Sequence, residues 1–529
     1  MFRILITDPV NDAGLAKLAQ SPHATYDLKT DLSSDDLLAI IPHYDALIIR
    51  GSTKIMAEHL AEAKRLVAIG RAGIGVDNID IDAATMRGVV VMNAPEANSI
   101  AVAEQTMAHM LAVSRHTVQA HASLQAGRWN RADFFGHQLY QKTLGIIGFG
   151  RVGRLVACRA RAFEMNILVD DPYVSEEVGR EHGVTLVDLD DLLPQADYIA
   201  LHVPLTGETE QIINAQTISQ MKKGVIIINT GRGQLIDDQD LRQALDSGQV
   251  RAAALDVFSE EPPASDHPLL SHAKVIHTPR LGSRTYEAKE AVAEQIIEQV
   301  LDVLRGHDFR NAVNMPFQLG AEFTAVRPYM ALADKIGRLQ TGLAPTPITK
   351  LELTVSGEAV EKLVKPIAAA LLTGILQNEG ERVNYTNAPV LAHERGIDIA
   401  QTTGLPAIHY YPNLLTCRAL WEGGERTISG VLFGGSEPRI VQVDDYQLEA
   451  KPEGFVLVLQ NEDVPGVIGQ VGTILAAYSV NIGEWRMGRN APGSAALSFI
   501  NLDSEPEGVV IDAMERITAV TQAELVALG

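Results

Sequence analysis

The sequence predicts an α/β chain: two doubly wound domains, Rossmann-like or flavodoxin-like, followed by an α+β unit and a small ferredoxin-like module. Three observations carry this. Short β-branched runs alternate with amphipathic helical stretches in the first half, a second series of six strands opens at Leu144, and the texture changes at Pro316. Strands separated by helices imply a parallel sheet covered on both faces.

In the first series, Arg3–Thr7, Ala46–Arg50, Leu66–Gly70 and Val89–Met92 read as strands, with helical stretches such as Asp35–Ile41 between them. The apolar-periodic segment Ile100–Arg115 reads as the helix leading into the second series. There the strands are Leu144–Gly148, Ile167–Asp170, Tyr198–His202, Val225–Asn229, Ala252–Val257 and Val275–Thr278. That is the content of a complete nucleotide-binding domain. A further helix, Ala288–Leu304, is placed to return the chain to the first domain. Beyond Pro316, Leu351–Val355, Thr427–Leu432 and Ile440–Val443 read as strands and Val360–Leu376 as a helix. From Gly454 the order is strand Phe455–Gln460, helix Gly466–Tyr478, strands Val480–Met487 and Ala495–Leu502, and helix Val509–Ile517. This order suggests the ferredoxin-like arrangement. The expected domains are 1–98 with 287–315, then 99–286, 316–452 and 453–529.

Composition narrows the function. The 529 residues include 44 basic and 66 acidic side chains, a formal charge of −22, which disfavours nucleic acid and anionic membranes as partners. No apolar run approaches the roughly 18 residues of a membrane span. Met1–Ile6 followed by Asp8 does not read as a signal peptide, so a cytoplasmic location is expected. Cys158 and Cys417 are too few and too far apart for a disulfide framework or a thiolate metal site, and no metal is expected.

The strongest local signal is Gly148-Phe149-Gly150-Arg151-Val152-Gly153, a G-x-G-x-x-G between a strand and an apolar helix. Its glycines permit a tight turn, close approach of backbone to a pyrophosphate, and tight helix–strand packing. Asp171 stands eighteen residues beyond Gly153, at the end of the next strand. A carboxylate there accepts hydrogen bonds from the adenine ribose and repels a 2′-phosphate, which favours NAD over NADP.

Other stretches carry a resemblance. Arg71-Ala72-Gly73-Ile74-Gly75-Val76-Asp77-Asn78-Ile79-Asp80, Asn98-Ser99 before a helix, Gly127-Arg128-Trp129, Leu201-His202-Val203-Pro204, Asn229-Thr230-Gly231-Arg232-Gly233 and Leu255-Asp256-Val257-Phe258-Ser259-Glu260-Glu261-Pro262 resemble the D-2-hydroxyacid dehydrogenases. Arg327-Pro328-Tyr329, Val383-Asn384-Tyr385-Thr386-Asn387-Ala388-Pro389 and Glu394-Arg395-Gly396-Ile397 resemble the intervening domain of the long D-3-phosphoglycerate dehydrogenases. Asp463-Val464-Pro465-Gly466-Val467-Ile468-Gly469, with Val480-Asn481-Ile482, resembles an ACT regulatory domain.

The resemblance implies a substrate-binding domain (1–98 with 287–315), an NAD-binding domain (99–286), an intervening domain (316–452) and an ACT domain (453–529). It implies NAD-dependent oxidation of 3-phospho-D-glycerate to 3-phosphohydroxypyruvate, the first step of L-serine biosynthesis. Arg232 matches the catalytic arginine, whose planar fork suits a carboxylate beside a carbonyl. Glu261 matches the glutamate that holds the catalytic histidine and raises its pKa. Val203, Thr230, Gly231, Asp256 and Gly282 match cofactor-contacting positions. Arg50, Arg71, Asn98 and Arg131 are the candidates for the substrate's phosphate and carboxylate. Asn461, Asp463 and Asn481 match an effector site, for which L-serine is expected, and such sites imply a homo-oligomer, dimer or tetramer.

One position departs. The family's T-P-H-L-G-A-S-T, whose histidine is the general acid/base, is here Thr278-Pro279-Arg280-Leu281-Gly282-Ser283-Arg284-Thr285. A guanidinium with a pKa above ~12 does not shuttle protons at neutral pH, and losing a general base costs about 10²- to 10⁴-fold in rate. Arg280 either stabilises a developing alkoxide or pairs with Glu261. His277, about 10 Å back along an extended strand, reads as a strand histidine. Gly231 and Gln234 replace the family's Ala and Gly, and Ala97 replaces Gly. Two other readings stay open: a weak or silent NAD- or serine-sensing homologue, and a dehydrogenase of another 2-hydroxy acid.

Overall fold

The computed structural model describes residues 1–529 apart from 11, 96, 318–322, 358–359, 378–381 and 405–410. The chain divides into two compact units. One comprises Met1–Pro9, Leu18–Asn93 and Ile296–Gly529, and the other Val10–Lys17 and Ala94–Gln295.

The first unit opens with β1 (Phe2–Ile6), β2 (Ala24–Leu28), β3 (Ala46–Ile49), β4 (Ala68–Arg71) and β5 (Val90–Asn93). They form a parallel sheet in the order β2-β1-β3-β4-β5, the flavodoxin-like order, whose strand direction of travel reverses between β1 and β3. Every residue of β3 is buried, as expected for a central strand with both faces covered.

The second unit contains β6 (Thr143–Ile147), β7 (Asn166–Asp170), β8 (Thr185–Leu186), β9 (Tyr198–Leu201), β10 (Val225–Asn229), β11 (Val250–Leu255) and β12 (Val275–His277). All pair in parallel, in the order β12-β11-β10-β9-β6-β7-β8. This is the Rossmann order with one strand added, and its switch point lies between β6 and β9. Six strands were expected; the seventh, β8, is a two-residue edge piece without a buried side chain, so it leaves no hydrophobic pattern. Alternate residues serve opposite faces. Ile146, Ala200 and Ile228 pack under the helices Ser99–Ser114 and Arg151–Ala162, whereas Ile147, Ile199 and Ile227 face the other way.

The first unit resumes with β13 (Ile348–Ser356), β14 (Asp398–Gly404), β15 (Leu414–Trp421), β16 (Gly424–Phe433), β17 (Glu437–Val443) and β18 (Tyr446–Ala450). Their order is β14-β13-β15-β16-β17-β18, antiparallel except for β13 with β14. The sequence showed three of these strands; β14, β15, β18 and the helix Phe323–Leu343 are additions. That helix crosses the helix Val364–Leu376 at two glycines: a Cβ on Gly374 would meet Asp334 O at 2.0 Å, and one on Gly337 would meet Leu371 O at 2.3 Å.

The C-terminal module has β19 (Phe455–Glu462), β20 (Ile482–Arg489), β21 (Ala495–Leu502) and β22 (Val520–Ala527), in the antiparallel order β20-β21-β19-β22. The last strand, absent from the sequence expectation, completes the βαββαβ ferredoxin-like pattern. Leu457, Leu459 and Ile500 pack under the helices Val467–Ala477 and Gly508–Glu515. Val456, Val458, Leu497 and Phe499 point the other way, into one core with the helix Phe323–Leu343. Among the described residues, no helix is long and apolar enough to cross a membrane.

Candidate active site

The glycine-rich loop sits where β6 ends, beside the switch point. Gly148 has φ 94°, and a Cβ there would lie 2.7 Å from Val203 N, so the first glycine is demanded by backbone conformation and by the neighbouring loop. A Cβ on Gly153 would lie 2.2 Å from Gly148 O, so the third glycine lets the helix close on the turn. A Cβ on Gly150 would meet nothing within 4 Å. The second glycine therefore leaves open space at the N-terminus of the helix that Arg151 begins, where a pyrophosphate is favoured. Val152 packs against the core below.

Asp171 follows β7 and accepts from Phe149 N–H at 2.8 Å and Tyr173 N–H at 3.0 Å, which ties it to the glycine loop. Burial, Asp171 and Asp188 raise the pKa of the adjacent Asp170, so negative potential gathers where a ribose 2′-position would fall. These residues fit a dinucleotide without a 2′-phosphate. Behind the loop, the His202 ring nitrogen Nε2 is buried with no hydrogen-bond partner among the described residues, and burial pushes the imidazole pKa down to about 4.

The candidate catalytic groups lie on loops at the C-terminal ends of β10, β11 and β12. Arg232 Nη1 donates to Gly231 O at 3.0 Å, and its own carbonyl accepts from Asn229 Nδ2 at 2.8 Å. Gly231 N–H donates to Asn229 Oδ1 at 3.0 Å, and Thr230 Oγ1 bonds Thr106 Oγ1 at 2.8 Å. A Cβ on Gly233 would fall 1.8 Å from the Phe258 carbonyl carbon, so this loop lies directly on the one carrying Glu261. Glu261 Oε1 accepts from Phe258 N–H at 3.3 Å, and Glu261 Oε2 pairs with Arg280 Nη1. Arg280 has φ 55°, a left-handed conformation in which a non-glycine residue is uncommon.

Asp256 holds that strained turn. It is 1% exposed; Oδ1 accepts from Thr278 Oγ1 and, at 2.8 Å, from Leu281 N–H, while Oδ2 accepts from Gly282 N–H at 2.7 Å. The Asp256 carbonyl takes Arg280 N–H at 2.9 Å. His109, on the helix Ser99–Ser114, lies 3.0 Å from Thr278 Oγ1 through Nε2. Gln105 Nε2 lies 3.2 Å from the same His109 nitrogen and donates to Thr278 Oγ1 at 3.3 Å, and burial lowers the His109 pKa. Sequence reasoning missed this network; a buried histidine on an apolar helix face gives no signal of its partner. His277 Nε2 lies 2.9 Å from Leu270 O, a bond that ties the ring to the loop before β12.

In the other unit, Arg50 and Arg71 come together. The loop after β3 and the end of β4 are neighbours: Arg71 Nη2 lies 3.7 Å from where a Gly51 Cβ would stand. Gly73, at φ 154°, lets the Arg71 side chain fold back, because a Cβ would meet Arg71 Nη1 at 1.6 Å. Asn98, 7% exposed at the start of the helix Ser99–Ser114, has Oδ1 buried without a partner among the described residues. Arg131 is exposed on a short 3₁₀ turn.

The three effector candidates do not converge within one chain. Asn461 is buried and donates to Glu462 O at 2.7 Å, and Asp463 accepts from Arg489 Nη1 at 2.8 Å, which lowers its pKa. Asn481 bonds Asp503 at 2.6 Å, beside the Ile482–Leu502–Phe455 register, at the opposite end of β19. Eight strand residues separate the ends by roughly 24 Å.

Residues 107–282 match the D-isomer specific 2-hydroxyacid dehydrogenase NAD binding domain, and residues 325–444 match the D-3-phosphoglycerate dehydrogenase intervening domain. The D-3-phosphoglycerate dehydrogenase of Methanocaldococcus jannaschii is 40% identical over 532 residues, covering 100% of both chains. The chain belongs to the D-3-phosphoglycerate dehydrogenase family. The Bacillus subtilis member is 36% identical over 529 residues, again with 100% of both chains covered. Among solved structures, a Thermus thermophilus protein matches with TM-score 0.54 and 33% identity over 59% of this chain and 99% of its own. A glyoxylate reductase from Paecilomyes thermophila matches with TM-score 0.53 and 30% identity, over 59% and 97%. The cofactor of this family's dehydrogenase domain, NAD, agrees with the open second glycine and the acidic end of β7.

Proposed function

We propose that the chain oxidises the C2 hydroxyl of 3-phospho-D-glycerate to 3-phosphohydroxypyruvate, the first step of L-serine biosynthesis. The observation that carries this is the end-to-end match to D-3-phosphoglycerate dehydrogenases, with the glycine loop, Arg232 and Glu261 all in place. Gly148, Gly150 and Gly153, with the start of the following helix, hold the pyrophosphate, and Asp171 takes the ribose hydroxyls. The free lone pair on Asp256 Oδ2, which has one donor in Gly282, suits a carboxamide. When bound, NAD supplies the acceptor for the hydride that leaves C2. Arg232 orients the α-carboxylate and polarises the C2 oxygen. Arg50 and Arg71 supply cations for phosphate, with Asn98 and Arg131 as further contacts.

Arg232 stabilises the alkoxide once the hydroxyl proton passes to solvent, while Arg280 is held by Glu261. Nothing at position 280 accepts that proton, so turnover is slow near neutral pH and rises with hydroxide. The substrate-binding parts are 1–98 with 287–315, the cofactor domain 99–286, the intervening domain 316–452 and an ACT domain 453–529. L-serine binds the last at Asn461, Asp463 and Asn481. Because Asp463 and Asn481 lie at opposite ends of one sheet, a site using both needs a second copy, which supports a homo-oligomer.

The Arg280–Glu261 pair favours one second reading, an NAD- and serine-sensing homologue with little or no turnover. NADH fluorescence titration beside phosphohydroxypyruvate reduction separates the two. Turnover that prefers phosphohydroxypyruvate over other 2-oxo acids supports the enzyme reading. Tight NADH binding without turnover selects the sensor, and a preference for another 2-oxo acid overturns the substrate.

A further inference from the structure

The loop carrying Arg50 is held from two sides by side chains that no role has yet been given. Asp8, just past β1, is 3% exposed. Its Oδ2 accepts from Arg50 N–H at 2.6 Å and Thr53 Oγ1 at 3.0 Å, and its Oδ1 accepts from Ser52 Oγ. Thr7 Oγ1 bonds Thr53 Oγ1 at 2.7 Å. From the other side, Asn78 Nδ2 donates to Arg50 O at 2.7 Å and to Thr53 O at 2.6 Å. Both polar groups of the Arg50 backbone are thus fixed, the N–H by an anion and the C=O by an amide.

We propose that Asp8 and Asn78 are positioning residues that set the direction of Arg50 toward the substrate's anionic groups. The loop needs such a clamp. It runs Arg50-Gly51-Ser52-Thr53, with a glycine and no apolar anchor, and its outer flank lines a cavity of about 440 Å³ with Thr30, Ser33 and His59. A loop with that much space beside it has room to relax inward, and a shift of about 1 Å in a binding cation costs on the order of 10²-fold. A buried carboxylate is expensive unless several donors satisfy it, and here the donors come from the loop it would hold. Asn78 sits in the same turn sequence as Gly73 and Gly75, so one segment shapes Arg71 and restrains Arg50 together.

This inference rests on Arg50 binding substrate, so the experiment tests both. Calorimetry reads the affinity of the protein–NADH complex for 3-phospho-D-glycerate, which requires no turnover. Arg50→Ala is expected to weaken binding tenfold or more. Asp8→Asn, which removes the charge and leaves one oxygen to serve Arg50 N–H, Thr53 and Ser52, is expected to weaken it at least tenfold while leaving NADH affinity unchanged. In the double variant Asp8→Asn adds nothing to Arg50→Ala, because it acts only through Arg50. Asn78→Ala repeats the pattern, and Thr53→Val is the milder variant if Asp8→Asn does not fold. Loss in Arg50→Ala with Asp8→Asn and Asn78→Ala silent overturns the clamp alone. Additive losses in the double variant overturn it too, because Asp8 then acts by another route. No loss in Arg50→Ala overturns the role of Arg50 and the clamp with it.

Discussion

Replacing Arg280 by histidine tests the chemistry most directly. Arg280→His removes the ion pair to Glu261 and places an imidazole where the family keeps its acid/base. Stability changes little: the Arg280 side chain is 57% exposed and that of Glu261 29%, so the pair is worth about 0–1 kcal/mol. The φ of 55° at this position suits histidine better than arginine, since histidine is among the residues enriched there. The catalytic effect is larger, because a positioned base contributes about 10²- to 10⁴-fold, so kcat for oxidation rises by at least about 10². Glu261 remains tied to Phe258 N–H and favours the protonated ring, which moves the new group above the ordinary ~6.5 of histidine. Oxidation needs the neutral ring, so the rate of NADH formation climbs as pH rises through that value and then levels. The parent lacks this inflection and keeps rising with hydroxide. A parent that already turns over at about 1–10³ s⁻¹ with an inflection near neutrality, and a variant no faster, refutes the reasoning.

Three further outcomes are expected. Asp171→Asn keeps an acceptor for Phe149 N–H, gives up the one for Tyr173 N–H and removes the charge, and narrows the NAD/NADP preference by about tenfold to a hundredfold in parallel titrations. Gly150→Ala leaves the melting temperature unchanged but weakens NADH binding, whereas Gly233→Ala, forced against the Phe258 backbone, loses about 3 kcal/mol in denaturant unfolding. His202 titrates near 4 when folded and near ~6.5 when unfolded, so the unfolded state binds the extra proton between those values. Stability therefore falls as pH drops from 6.5 to 4, by up to about 3 kcal/mol, and His202→Gln flattens that slope.

The parallel sheets were legible because buried strands such as Ala46–Ile49 and Val225–Asn229 are apolar throughout, save for the asparagine that ends the second. Strands without that pattern escaped. Along β22 the buried residues are Val520, Ala523 and Val526: Ala523 packs with the module's own helices and Val526 into the core with the helix Phe323–Leu343, so with both faces covered period two does not show. The edge strand β14 buries no side chain and is mostly polar, and the helix Phe323–Leu343 carries Pro328 inside it. At the candidate site, the motifs located the loops, and pairing of Arg280 with Glu261 was one of two expectations. The supports were invisible. Asp8, Asn78, His109 and Thr278 reach partners that are distant in sequence, and a lone polar residue in a sequence does not say what it will hold.

The helix Phe323–Leu343 packs against the six-stranded sheet and the ferredoxin-like module alike, so the two share one hydrophobic core. A Cβ on Gly342 would stand 2.7 Å from Val526 Cγ2, a separation that leaves no room for solvent between helix and β22. Opening the ferredoxin-like module away from the helix would wet Val456, Val458, Leu497 and Phe499 at once, so hinge motion there is costly. A ligand that tightens the module therefore also steadies the six-stranded sheet through that core, and a signal can cross between them as stiffness without displacement.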